Sequence, residues 1–136
     1  MDELEIAAKV ENLDEVLAFV DERLENAGCP MRTQTQIDVA VEEIFVNIAS
    51  YAYQPGTGNA RIGVLVSGDP LAVTIRFIDS GMPYDPLAKE DPDVTLPVEE
   101  RPIGGLGIYM VKKSMDEVLY EHKDGCNIFT IKKLLS

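Results

Sequence analysis

Three short groups of residues in this chain have the types and spacing that chemistry requires. Glu43 and Asn47 stand four apart in an apolar, helix-like stretch, so both project from one face of that helix. A carboxylate and an amide oxygen on one rigid face suit an octahedral Mg²⁺ site, with one oxygen on the metal and the other group free to orient water or accept a hydroxyl proton. Asp79-Ser80-Gly81 closes a strand-like run. Its acid can accept a hydrogen bond from an exocyclic amine, and Gly81 lets the backbone pass close to a ring. Gly104-Gly105-Leu106-Gly107 then opens an apolar helix 25 residues after that acid. A helix start with three glycines bares its first N–H groups and admits another backbone, or a phosphate.

Each group also has a plain structural explanation. E-x-x-x-N is common on solvated helix edges, Asp-Ser-Gly is ordinary turn chemistry, and glycines serve as hinges. Met110 and Met115 read as core filler, and the single histidine, His122, reads as an exposed strand residue. No Ser-His-Asp or Cys-His arrangement is present, and neither a Walker-type P-loop nor a GxGxxG after the first strand.

The elements that must hold these groups follow from periodicity. Leu4, Ile6 and Ala8 alternate as an edge strand. Asn12, with Glu15 three residues on, has the form of an N-cap and capping box. The helix it opens carries Leu13, Val16, Leu17, Val20 and Leu24, and Gly28 and Pro30 stop it. A second helix is expected from Thr33, with Ile37, Val41, Ile44 and Ile48 on one stripe and apolar residues on most other sides, which makes it central. Ile62, Val64, Val66 and then Leu71, Val73, Ile75, Phe77 alternate as an antiparallel hairpin. From Met82 to Ile103 there are five prolines and six acids, a composition that suits a lid or binding segment better than a packed element. A helix from Leu106 to Met115 and a closing hairpin follow.

The order is strand, two helices, hairpin, loop, helix, hairpin. It predicts one α+β domain over residues 1–136, a two-layer sandwich whose mixed, largely antiparallel sheet carries its helices on one face, with a lid loop at 82–103. The net charge of -12 argues against nucleic acid and for a basic protein partner. No apolar run approaches a membrane span, the acidic N-terminus lacks the build of a signal peptide, and Cys29 and Cys126 read as free thiols in a reducing cytoplasm.

Taken in order, the three groups resemble the boxes of the Bergerat nucleotide-binding fold of the GHKL ATPases, and most closely its bacterial anti-sigma factor serine kinase branch. Glu43-Ile44-Phe45-Val46-Asn47 is similar to the N box. Asp79-Ser80-Gly81-Met82-Pro83-Tyr84-Asp85-Pro86 resembles the G1 box of that branch, and Gly105-Leu106-Gly107 with Met115-Asp116-Glu117-Val118 resembles its G2 box and the segment after it. The resemblance implies ATP as substrate, Mg²⁺ held by Asn47, Glu43 as general base, Asp79 reading the adenine amine beside Gly81, and Gly104, Gly105, Leu106 and Gly107 admitting the phosphates. It also implies a phosphate-contacting role for Arg101, which Pro102-Ile103-Gly104 displaces along the chain, and a water-mediated adenine contact for Thr130. Tyr51 stands where this branch commonly has histidine. The implied activity is phosphorylation of a serine on an anti-anti-sigma protein by a cytoplasmic homodimer that also binds a sigma factor. Two other functions remain open from sequence: a nucleotide-gated binding module without kinase turnover, and the catalytic domain of a two-component histidine kinase, which would need a phospho-acceptor helix pair that this chain has no room for.

Overall fold

The computed structural model describes residues 1–53, 56–88 and 106–135. Strand β1 (Asp2–Ala7) leads through a 3-10 turn to helices α1 (Leu13–Asn26) and α2 (Met31–Asn47), and α2 runs on into a π-helical turn, Ile48–Ala52. The hairpin β2 (Asn59–Ser67) and β3 (Ala72–Asp79), helix α3 (Leu106–Ser114) and the hairpin β4 (Glu117–Lys123) and β5 (Cys126–Leu134) complete the described elements. The strands form one sheet in the order β1-β2-β3-β5-β4. Every neighbouring pair is antiparallel, so the described sheet has none of the parallel pairing a mixed sheet would show.

Alternation decides which face is covered. Successive strand side chains point to opposite faces, and the register places Ile62 opposite Phe77 and Phe77 opposite Phe129, with Val64, Ile75 and Ile131 forming the next row. All six are buried against the helices, while Arg61, Arg76 and Leu119 on the other face are exposed. From the helices, Val16, Val20 and Leu24 of α1, Ile37, Val41, Ile44 and Phe45 of α2, and Val111 of α3 complete this core. Fully burying a side chain of this size contributes about 1.5–3 kcal/mol. The apolar stripe thus anchors α2 between α1 and α3 more firmly than its helix propensity does.

The helix ends show where local signals hold. Gly28 takes a left-handed φ of 72°, its N–H bonds Glu25 O at 3.0 Å and the N–H of Cys29 bonds Leu24 O at 3.0 Å, a Schellman closure of α1. Asn12 is the N-cap residue, but its amide donates to Ala7 O at 2.9 Å rather than capping the helix, so it ties the turn back to β1. Helix α2 begins at Met31, ahead of the Thr33 start that the sequence suggests, because Pro30 in an extended conformation serves as N-cap and accepts the N–H of Gln34. No helix among the described residues is long and apolar enough to cross a membrane.

The 82–103 segment is described only as far as residue 88. Met82 to Asp85 are exposed; Pro86–Ala88 then form a 3-10 turn in which Pro86 is buried and Leu87 packs on the core. Residues 89–103 lie outside the described residues. Among the methionines, Met115 is buried as expected, whereas Met110 is exposed on α3.

Candidate functional site

A cleft opens where α2, its π-helical turn, the end of β3 and α3 converge. Asn47 and Asp79 both line it, together with Tyr51 and Ala52 from the π-helical turn, Met82, Tyr84 and Pro86 from the segment after β3, Ile108 from α3, and Tyr120 and Phe129 from the sheet. The walls are chiefly apolar and aromatic, with a few fixed polar groups, the usual make-up of a small-molecule site.

Asp79 is only 5% exposed and ends β3. Its Oδ1 accepts two hydrogen bonds, from Gly81 N and from Asn127 Nδ2, each at 2.9 Å. Oδ2 makes none among the described residues, and is the oxygen left for a donor entering the cleft. Gly81 has a steric reason distinct from the one its sequence suggests. A Cβ there would lie 2.2 Å from the carbonyl oxygen of Ala52, and the next N–H, of Met82, bonds that same oxygen at 2.8 Å. The glycine therefore lets the strand end dock on the π-helical turn. Tyr53 braces the same corner: its hydroxyl accepts Ser80 N at 2.8 Å and donates to Asn59 O at 2.6 Å. Burial pushes the Tyr53 phenol above its ordinary range, which keeps that proton in place.

Glu43 lies one helical turn before Asn47 and reaches α3. A Cβ on Gly107 would fall 1.9 Å from both Cδ and Oε1 of Glu43, so the carboxylate rests against the first turn of α3 at a point only glycine leaves open. Neither Glu43 nor Asn47 makes a hydrogen bond among the described residues. That first turn contains no acid, and Lys112 and Lys113 close the helix, in keeping with its dipole. A carboxylate and an amide oxygen one turn apart, the carboxylate resting on the first turn of α3, fit a Mg²⁺ that takes one or two protein ligands and completes its shell with water and phosphate. Leu106 is the first residue of α3; Arg101, Gly104 and Gly105 lie outside the described residues.

Thr130 requires a correction. It shares neither the face nor the row of Asp79: Asn127, Phe129 and Ile131 are buried toward the helices, and Thr130, between Phe129 and Ile131, belongs to the opposite face. The polar residue that β5 brings to the cleft side is Asn127, directly opposite Asp79 in register and 6% exposed. Sequence reasoning missed it, although its signal was available: 127, 129 and 131 have one parity and 130 the other. Asn127 Oδ1 accepts the Tyr120 hydroxyl and, at 3.3 Å, the N–H of Tyr84, while Nδ2 also donates to Met82 O at 2.9 Å. Burial raises the Tyr120 phenol as well, so it remains a donor.

Comparison with known proteins bears on the family and the fold. A family profile described as Histidine kinase-like ATPase domain matches residues 6–133. Serine-protein kinase RsbW of Bacillus cereus (strain AH187) is 30% identical over 140 residues, spanning 96% of this chain and 82% of that protein. Serine/threonine-protein kinase BtrW of Bordetella bronchiseptica is 23% identical over 130 residues, spanning 96% and 91%. Among solved structures, the RsbU and RsbW domains of Rv1364c from Mycobacterium tuberculosis superpose with a TM-score of 0.66 at 20% identity, over 99% of this chain and 33% of that longer one. That likeness carries the fold.

Proposed function

The chain belongs to the histidine kinase-like ATPase domain family, and on that footing we propose that it is an ATP-dependent protein serine kinase of the anti-sigma type. The observation that carries this reading is the meeting of Asn47 and Asp79 in one cleft, with Glu43 seated on the first turn of α3 beside it. In this reading the adenine lies between the apolar walls and donates its exocyclic amine to Asp79 Oδ2. The phosphates lie toward the start of α3, where backbone N–H groups and the helix dipole favour anions. Asn47 would hold a Mg²⁺ that offsets phosphate charge. Glu43 takes the proton of an incoming serine hydroxyl as its oxygen attacks the γ-phosphorus and ADP leaves.

The substrate serine belongs to a small anti-anti-sigma protein, and the other partner is a sigma factor whose basic surface suits a chain of net charge -12. The protein acts in the cytoplasm as a homodimer. The names of the RsbW and BtrW relatives support serine kinase chemistry.

Calorimetry tests the nucleotide site. ATP and ADP bind the wild-type protein in millimolar Mg²⁺ and bind less well without it. Asp79→Asn replaces an acceptor with a group able to turn a donor toward the amine; losing a buried hydrogen bond to a charged group costs about 1.5–3 kcal/mol, or roughly ten- to a hundred-fold in affinity. Absence of adenine nucleotide binding by the wild type would end this reading.

A further inference from the structure

We propose that Asn127 sets the base selectivity of the cleft, as a positioning residue that holds the Asp79 carboxylate in one orientation. The inference rests on the adenine reading of Asp79 given above. A terminal carboxylate torsion is broad, and the two oxygens are equivalent, so what the side chain alone leaves open is the plane in which the group offers a lone pair to the cleft. Two donors decide it here. Gly81 N and Asn127 Nδ2 converge on Oδ1, each at 2.9 Å, and leave Oδ2 without a partner among the described residues.

The orientation of Asn127 is itself fixed from the far side. Tyr84 N–H can only donate, and it meets Oδ1 of Asn127 at 3.3 Å alongside the Tyr120 hydroxyl. Met82 O can only accept, and it takes Nδ2 at 2.9 Å. A flipped amide would place its oxygen against Met82 O and Asp79 and its donors against Tyr84 N–H. Donation therefore runs one way, from Tyr84 through Asn127 to Asp79, and at its end an acceptor faces the cleft. Adenine offers that acceptor an amine. Guanine offers a carbonyl oxygen in the same place, and two facing acceptors repel. A site built to hydrogen-bond a donor rejects the analogue that lacks it because its buried polar group is left unpaired.

Asn127→Thr and Asn127→Val are nearly the same shape, and only the threonine keeps a donor for Asp79. Both lose the amide's paired contacts to Tyr84 and Tyr120, so a purely structural role lowers their melting temperatures together and leaves base preference alone. The readout is the ratio of ADP to GDP affinity, by calorimetry with Mg²⁺, beside thermal melting. The wild type and Asn127→Thr prefer ADP by about ten-fold or more, and Asn127→Val loses most of that preference. If Asn127→Val does not fold, Asn127→Ser, which keeps a hydroxyl donor, and Asn127→Ala, which keeps none, replace the pair, and only the serine variant keeps the preference. A selective wild type with an equally selective Asn127→Val, or an Asn127→Ala as selective as Asn127→Ser, overturns this inference alone. A wild type that binds adenine and guanine nucleotides equally overturns it together with the reading of the base pocket.

Discussion

Glu43 and Asn47 stand one turn apart on α2 and meet different neighbours, and their substitutions should separate for that reason. Glu43→Ala removes the proposed base but leaves the cleft wall intact, so ATP affinity should stay near wild type; Asn47→Ala removes a cleft-lining oxygen and should weaken binding. Nucleotide titrations of both variants check this, and a large affinity loss in Glu43→Ala alone would contradict it. Gly81 provides a second test at this scale. Its missing Cβ would lie 2.2 Å from backbone oxygen and 2.6 Å from backbone carbon of Ala52, atoms that cannot swing aside as a side-chain tip can. Gly81→Ala must therefore shift the strand end off the π-helical turn, at a cost of about 1–3 kcal/mol in stability. Because Asp79 and Met82 flank that contact, nucleotide affinity falls with it. Urea denaturation beside calorimetry measures both, and unchanged stability would refute the close-packed corner.

Between α1 and α2 the helix seam holds acids that no function in the cleft requires. Asp38 on α2 faces Asp21 and Glu25 of α1, and Oδ1 of both Asp21 and Asp38 is buried. Burial first, then the hydrogen bond and charge of Asp21 and the charge of Glu25, push the Asp38 carboxyl up to about 8. The folded state thus holds this proton more tightly than the unfolded chain, where the value is 3.8. Unfolding releases the proton, so this group's contribution to stability falls as pH rises through the window from 3.8 to about 8. Melting temperatures between those limits should decline for the wild type, and Asp38→Asn should flatten the decline. A wild-type profile no steeper than that of the variant would rule out the shared proton.

The same elements show what the sequence made legible. Strong periodicity located both hairpins and all three helices, because burial of one face depends on pattern more than on context. It failed where a tertiary choice intervened. Pro30 reads as a stop signal and also starts α2, and Asn12 reads as a cap yet bonds to β1. The three boxes drew attention to Asp79, Asn47 and Glu43, residues the fold gathers around one cleft and the start of α3. Asn127 escaped because its partner lies 48 positions away, and only the pairing of β3 with β5 brings the two together. That Tyr51, Tyr84 and Tyr120 join as aromatic walls escaped for the same reason: they come from three separate segments that only the fold brings together.

For the molecule as a whole, the fold and family fit an ATP-dependent enzyme, and the remaining issue is whether the cleft performs phosphotransfer or only senses nucleotide. Both possibilities share Asp79 and Asn47, so binding alone cannot separate them. Transfer of labelled γ-phosphate in a single turnover, from ATP to the serine of a small anti-anti-sigma protein of the same genome, does so directly. The wild type should transfer the label, and Glu43→Ala, with ATP still bound, should be slower by about 10²–10⁴-fold. Transfer by Glu43→Ala at the wild-type rate would contradict the assignment of the base. A wild type that binds ATP and a sigma factor yet phosphorylates no such partner would contradict the kinase itself and make the chain a nucleotide-gated binding module.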